Sequence, residues 1–178
     1  MLALVLLHPN TEYTVTQVAG AAGTSLPTAL REVRRAEEAG LVTTRPVGRA
    51  RVVRAHTESP LYRSITELLA QTFGPPVILA DGLTLVSGLQ RAYIYGSWAA
   101  RMSGIAGHPP NDVDLLLIGA PDRDQLDRAV DEAERSLGWP VHPTIRSAIQ
   151  WDHATEPFLV EVRQRPLWEI PLTGGRLP

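Results

Sequence analysis

The sequence predicts an α+β protein with two unlike halves. The chain has 178 residues, 44% of them hydrophobic, which is long enough for two small cores. Residues 1–57 carry short helical patterns followed by a β-branched hairpin pattern, whereas residues 91–119 read as strand, helix and strand. The first 57 residues hold seven arginines against four glutamates, a net charge of +3, and residues 58–178 hold ten arginines against fifteen acids, a net charge of −5.

The composition excludes several functional classes. The chain has no cysteine, which excludes a disulfide framework, a thiolate zinc site and a cysteine nucleophile. All 17 basic residues are arginine, which excludes a phosphate-binding P-loop lysine and a Schiff-base lysine. The opening MLALVLLHP is too short for a secretory signal, and no apolar run reaches the roughly 18 residues of a membrane span. We therefore expect a cytoplasmic protein with no membrane partner.

Residues 14–42, TVTQVAGAAGTSLPTALREVRRAEEAGLV, predict two short helices. Thr14 or Thr16 caps the first, Ser25 caps the second with Pro27 in its first turn, and Gly40 ends it. The apolar residues at helical spacing predict a buried stripe of Leu26, Leu30, Val33, Ala36 and Leu41. The opposite face of the second helix carries Thr28, Arg31, Glu32 and Arg35.

Residues 41–55, LVTTRPVGRARVVRA, predict a basic hairpin that turns at Val47-Gly48-Arg49. A helix pair followed by such a hairpin over residues 1–57 resembles the ArsR-like winged-helix regulators. The resemblance implies binding of double-stranded DNA, with the second helix in the major groove and the hairpin as a wing. The residues expected to contact DNA are Thr28, Arg31, Arg35, Arg45, Arg49 and Arg51. In the alternative, the arginines form a solvated face on a module that contacts proteins.

Residues 58–87 predict two helices separated by a Gly-Pro-Pro break at 74–76. We expect this segment to link the two domains and to bury a homodimer interface, since winged-helix regulators usually act as two-fold dimers.

The next segment, residues 91–104, suggests a phosphate site. RAYIYG is a short apolar strand that stops at Gly96-Ser97, and SWAARMSG continues as a helix. Glycine allows close backbone approach, and the serine hydroxyl and the amides of the turn suit a phosphate. Arg101 lies four residues after Ser97 on the same helical face and adds a cation.

The strand NDVDLLLIG begins with two acids that project from the same face. The Cα atoms of Asp112 and Asp114 are expected about 6.5 to 7 Å apart, because side chains alternate along a strand. Two carboxylates at the edge of an apolar core repel each other, so one stays protonated unless a cation bridges them. Mg²⁺ resolves that conflict because it combines one or two carboxylates with water and substrate phosphates.

Together these residues resemble the nucleotidyltransferases of the DNA polymerase beta superfamily, over roughly residues 88–165. The whole chain is similar to bacterial two-domain proteins that join a winged helix to a minimal nucleotidyltransferase domain, which we expect over 88–178. The resemblance implies a mixed sheet with flanking helices, a nucleoside triphosphate as ligand or substrate, Gly96 and Ser97 at the β- and γ-phosphates, and catalytic Mg²⁺ on Asp112 and Asp114.

Active members of that superfamily carry a third carboxylate on a following strand. The corresponding stretch here, VHPTIRSAIQW, has no acid, and nothing in the spacing places Asp152 or Glu161 at the site. His142 and His153 are not assigned a role. Three functions therefore remain: a DNA-binding regulator with a nucleotide- and Mg²⁺-binding domain, an active nucleotidyltransferase that transfers a nucleoside monophosphate to a small molecule, protein or RNA, and an antitoxin-like partner of a toxin.

Overall fold

The computed structural model describes residues 1–105 and 107–172. It contains helices and two separate β-sheets, which confirms the predicted α+β class. The chain divides into two compact units, Met1–Phe73 and Gly74–Pro178. Ala106 and residues 173–178, which fall in the predicted range 88–178, lie outside the described residues. Within the described ranges, no helix has both the length and the apolar character needed to cross a membrane.

The first unit combines short helices with a three-stranded sheet. Its elements in chain order are α1 (Leu2–Leu7), β1 (Tyr13–Thr14), α2 (Val15–Ala21), α3 (Leu26–Glu38), β2 (Val42–Val47), β3 (Ala50–Ala55) and α4 (Tyr62–Phe73). The central strand is β3, and both β1 and β2 pair with it in antiparallel fashion.

The starts of α2 and α3 follow from local side-chain chemistry. Of the two candidate threonines, Thr14 is the cap of α2: its hydroxyl accepts from the Gln17 amide, and the Gln17 side chain accepts from the Thr14 amide. The Ser25 hydroxyl accepts from the Thr28 amide and caps α3. The bonds at Thr14 are reciprocal and the bond at Ser25 is single, and both satisfy amides that a helix start leaves unpaired, which confirms the predicted starts.

The buried stripe of α3 differs from the prediction. Ala29, Val33 and Ala36 are its buried residues, whereas Leu26 and Leu30 are 44% and 39% exposed. Both stripes have helical spacing and share Val33 and Ala36, but the first turns of α3 face the core of the first unit with Ala29 and not with the two leucines. The predicted burial of Leu26 and Leu30 is therefore wrong, while that of Val33, Ala36 and Leu41 is confirmed.

The predicted hairpin is formed by β2 and β3, joined by Gly48 and Arg49. Gly48 has φ 57°, a conformation that favours glycine and suits a two-residue turn. Because side chains alternate along a strand, Arg45 and Arg51 project from opposite faces of the sheet.

The second unit is built on a four-stranded mixed sheet. Its elements are α5 (Pro75–Leu83), β4 (Leu89–Tyr95), α6 (Gly96–Met102), β5 (Val113–Gly119), α7 (Arg123–Leu137), β6 (Val141–Arg146), α8 (Ala148–His153), α9 (Pro157–Arg163) and β7 (Trp168–Ile170). The strand order is β6-β5-β4-β7. β5 and β6 are parallel, and the other two pairs are antiparallel.

Strand β5 lies at the centre of the second unit and is buried on both faces. Leu115, Leu116 and Leu117 are each fully inaccessible. Leu116 packs with Trp151 of α8 and Leu159 of α9 in one apolar cluster. A strand that is covered on both faces requires a continuous apolar run. The apolar composition of residues 115–118 therefore accounts for their central position.

The two helices of segment 58–87 belong to different units. α4 packs against α1 in the first unit, and α5 packs against α7 in the second. The boundary falls at Gly74, the first residue of the predicted Gly-Pro-Pro break. Each helix thus contributes to the core of its own unit, and dimerisation through this segment stays a prediction.

Candidate nucleotide and metal site

The two predicted acids lie at the start of β5. Asp112 comes directly before the strand, and Asp114 is its second residue. Both are partly buried. Leu116 and Ile118 continue the face of Asp114 into the apolar cluster beneath α8 and α9. The carboxylates therefore lie at the boundary between the buried apolar face of the sheet and solvent.

No arginine in the described ranges neutralises either carboxylate. Among the described residues, none donates a hydrogen bond to Asp112 or Asp114, and the ion-pair contact at this point is His142 Nε2, 3.8 Å from Asp112 Oδ2. Buried or half-buried carboxylates usually have a partner, because leaving the charge in a medium of low dielectric constant costs free energy. The pair is thus available to a ligand.

The environment of Asp114 favours its neutral form. Burial raises the pKa of Asp114, the negative charge of Asp112 raises it further, and His142 acts in the opposite direction. A cation placed between the two acids would oppose both effects that raise the pKa. The predicted electrostatic conflict is therefore present in the folded chain.

Gly96 lies against the Asp114 carboxylate. Tyr95 and Asp114 are direct partners in the antiparallel pair β4–β5, so the turn after β4 passes beside the carboxylate. Gly96 has φ 68°, and a Cβ atom there would overlap Asp114 Oδ2 and lie 3.1 Å from its Cγ. A residue with a side chain would be strained at this φ and would have to displace the Asp114 carboxylate. The Gly-Ser turn and the acid pair predicted from separate stretches are brought together.

Ser97 and Arg101 line a cleft that opens beside the acids. The cleft has a volume of about 340 Å³, within the range of small-molecule sites. Its lining also includes Asp112, Asp114 and the loop residues Gly107, His108, Pro109, Pro110 and Asn111. The Ser97 hydroxyl has no hydrogen bond to any described residue, and the Arg101 guanidinium donates to the Gly107 carbonyl oxygen at 3.4 Å.

Helix α6 has seven residues, and no side chain caps its start, so its first amides have no side-chain partner. The polar side chains that line the cleft are two carboxylates, one hydroxyl, one guanidinium, one imidazole (His108) and one amide (Asn111).

Strand β6 places a histidine beside Asp114. The parallel register pairs Asp114 with His142, so the two residues share one face of the sheet. The strand itself has no acid, as predicted, and neither Asp152 on α8 nor Glu161 on α9 is among the described residues that line the cleft. Sequence analysis named His142 without assigning it a role, and its place beside Asp114 depends on the register of a parallel pair, which local spacing does not encode.

The donor set fits Mg²⁺ and phosphate better than a cage made of protein ligands. In the part of the chain that the structure describes, no three His, Cys, Asp or Glu side chains form a metal-binding group. Two carboxylates that share a metal with water and phosphate oxygens are the usual Mg²⁺ arrangement. Asp112 and Asp114 would hold the ion, and Ser97 and Arg101 would face the phosphates.

The predicted DNA-contact residues of α3 lie along one helix. Arg31 and Arg35 are exposed, whereas Thr28 is half-buried. Arg31 donates to the Thr28 hydroxyl at 3.3 Å, and Arg35 pairs with Glu32 at 2.8 Å. Both contacts are exposed and lie within one helix, so exchanging either of them for another partner costs little free energy.

The hairpin arginines are divided among three places. Arg49 lies in the turn, Arg51 lies on the sheet face that supplies Val53 to the core, and Arg45 lies on the opposite face. Arg45 is already paired with Glu12, to which its Nε donates at 3.1 Å. The structure therefore does not gather the hairpin arginines on a single surface.

Comparisons with known proteins found no match among protein-family models, curated proteins or solved structures.

Proposed function

We propose that this protein is a DNA-binding regulator whose second unit binds a nucleotide together with Mg²⁺. The proposal includes the winged-helix interpretation of the first unit and the nucleotidyltransferase-like interpretation of the second. It also includes a cytoplasmic location and a two-fold homodimer, in which exposed apolar residues of the predicted linking segment, such as Leu68, would be covered.

The observation that carries the proposal is the acid pair beside the cleft, which no arginine of the described residues neutralises. Asp112 and Asp114 have no arginine partner among the described residues, and Asp114 is held in an environment that penalises its charge. A divalent cation relieves this penalty, and a nucleotide phosphate completes the coordination of that cation. When bound, Mg²⁺ would neutralise charge on the acids and on the phosphates. The Ser97 hydroxyl and the Arg101 guanidinium would bind and orient the phosphate chain.

Support for DNA binding comes from the first unit. The exposed face of α3 carries arginines whose contacts are easily exchanged, and the helix is followed by a hairpin whose turn carries the exposed Arg49. Exposed arginines of this kind would contact the phosphate backbone whatever the DNA sequence, and residues in the first turns of α3 would contact base edges.

Replacing Arg31 or Arg49 by alanine is expected to weaken DNA binding in two different ways. Arg49→Ala removes one phosphate contact, so affinity falls for all duplexes and the salt slope decreases by about one. Arg31→Ala, at a base-edge position, reduces the difference between preferred and random duplexes, by about 1–3 kcal/mol. Fluorescence anisotropy over a salt series measures both effects.

Arg128→Ala is the matched control, because Arg128 is an exposed arginine on α7 in the second unit. Its DNA affinity should equal that of the wild type. If Arg31→Ala and Arg49→Ala also leave affinity unchanged for every duplex, the first unit is a protein-contact module.

His142 gives specific support to the alternative, an active nucleotidyltransferase. It is paired with Asp114 on the neighbouring strand, where an acceptor hydroxyl would need a base. Incubation with labelled nucleoside triphosphates and candidate acceptors separates the two functions. Transfer that is lost in Asp114→Ala and in His142→Ala, but kept in His153→Ala, would establish the enzyme. No transfer from any variant or from the wild type supports the regulator.

A further inference from the structure

A second polar cleft lies on the sheet of the first unit, away from its core. It has a volume of about 380 Å³ and is lined by Glu12, Thr43, Thr44, Arg45, Val52 and Arg54. Strand register places Arg54 directly opposite Thr43, and Arg45 follows two residues along β2 on the same face. Two guanidinium groups therefore flank one threonine. The opposite face supplies Val42, Val53 and Ala55 to the core.

One of these guanidinium groups already binds an oxyanion. Arg45 donates from Nε and Nη2 to the two oxygens of Glu12, at 3.1 and 2.5 Å. This hydrogen bond lowers the pKa of Glu12, and the positive charges of Arg45 and Arg54 lower it further. A two-point fork of this kind fits a phosphate as well as a carboxylate. The bound Glu12 carboxylate shows that the cleft favours an oxyanion.

The other half of the cleft is open. Throughout residues 1–73, all of which the structure describes, neither the Arg54 guanidinium nor the Thr43 hydroxyl has a hydrogen-bond partner. The side chains of Arg45 and Glu12 are 59% and 34% exposed, so their pair is accessible to a competing anion. An exposed ion pair contributes little free energy, so a phosphate that also engages Arg54 and Thr43 can compete with it.

We propose that Thr43, Arg45 and Arg54 form a phosphate-binding site in which Glu12 is an intramolecular competitor for Arg45. The phosphate displaces the Glu12 carboxylate and gains the Arg54 guanidinium and the Thr43 hydroxyl. Arg45 is also among the residues expected to contact DNA, whereas Glu12, Thr43 and Arg54 are not. The phosphate belongs either to a free small molecule or to a nucleic-acid backbone.

The test is a titration of the isotope-labelled full chain, followed by NMR of the backbone amides. One arm uses inorganic phosphate at constant ionic strength, and a second uses a short DNA duplex. In at least one arm, the Thr43 and Arg54 signals should shift and saturate. Arg54→Gln should abolish this saturable shift, and Glu12→Gln should tighten binding by about two- to fivefold. Glu58→Gln removes the same charge at an exposed position of the same unit and should bind like the wild type.

The two arms identify the source of the phosphate. A shift with inorganic phosphate supports the site for free phosphates, and a shift with the duplex alone supports it for the nucleic-acid backbone. The proposal is overturned if neither ligand shifts these signals, if the shift persists in Arg54→Gln, or if Glu12→Gln binds no tighter. The phosphate arm contains no DNA, so its result is independent of whether the first unit recognises an operator.

Discussion

Asp114→Asn is expected to abolish Mg²⁺-dependent nucleotide binding and, in the presence of a chelator, to stabilise the fold. Asparagine keeps the size of the side chain but removes a charge that burial and Asp112 both disfavour. In the absence of metal, the substitution removes a charged carboxylate that burial leaves partly dehydrated. The midpoint of unfolding at neutral pH should therefore rise. With metal, the variant lacks one of the two carboxylate ligands. Substituting a residue that only supports a metal ligand typically changes metal affinity 10–100-fold. We therefore expect a loss of about 100-fold or more.

Calorimetric titration of ATP in Mg²⁺ and in chelator measures the first effect, and denaturation in chelator measures the second. Asp127→Asn is the matched control, because Asp127 is an exposed acid on α7 and the substitution removes the same charge. That variant should bind Mg²⁺-ATP like the wild type. Unchanged affinity in Asp114→Asn, or a lower unfolding midpoint in chelator, would contradict the proposed role of the pair.

Gly119→Ala is expected to destabilise the second unit by about 3–5 kcal/mol. Gly119 has φ 134°, a backbone region that is essentially restricted to glycine. A Cβ atom there would overlap the carbonyl oxygen of Gly88 and lie 3.2 Å from the amide nitrogen of Gln90. The same carbonyl accepts a hydrogen bond from the Ala120 amide at 2.9 Å, so it cannot move without breaking the end of the β4–β5 pair.

Tryptophan fluorescence during denaturation isolates this effect, since Trp98, Trp139, Trp151 and Trp168 all belong to the second unit. Gly107→Ala is the control, because a Cβ atom at Gly107 meets no atom within 4 Å and its φ is not positive. It should unfold within about 1 kcal/mol of the wild type. A similarly small effect of Gly119→Ala would show that the strand end can shift to accept the methyl group.

Local chemistry was the part of the fold that could be predicted. The caps at Thr14 and Ser25 and the turn at Gly48 depend on residues three or fewer positions apart, so the sequence contains all the groups involved. The shared face of Asp112 and Asp114 follows from the two-residue period of a strand.

Long-range pairing could not be predicted in the same way. The predicted and observed stripes on α3 share Val33 and Ala36, and only the packed core selects Ala29 over the two leucines. Glu12 and Arg45 are separated by 33 positions, and His142 reaches Asp114 through the crossover that contains α7. Each of these contacts depends on which elements meet, which local spacing does not encode.

Paramagnetic broadening by Mn²⁺, used in place of Mg²⁺, tests the central claim most directly. In the presence of ATP, a low concentration of Mn²⁺ should broaden the amide signals of Gly96, Ser97, Asp112 and Asp114 before any others, and should not do so in Asp114→Asn. Broadening that begins instead along the exposed acids of α7, or that is unchanged in Asp114→Asn, would contradict a metal and nucleotide site at the start of β5.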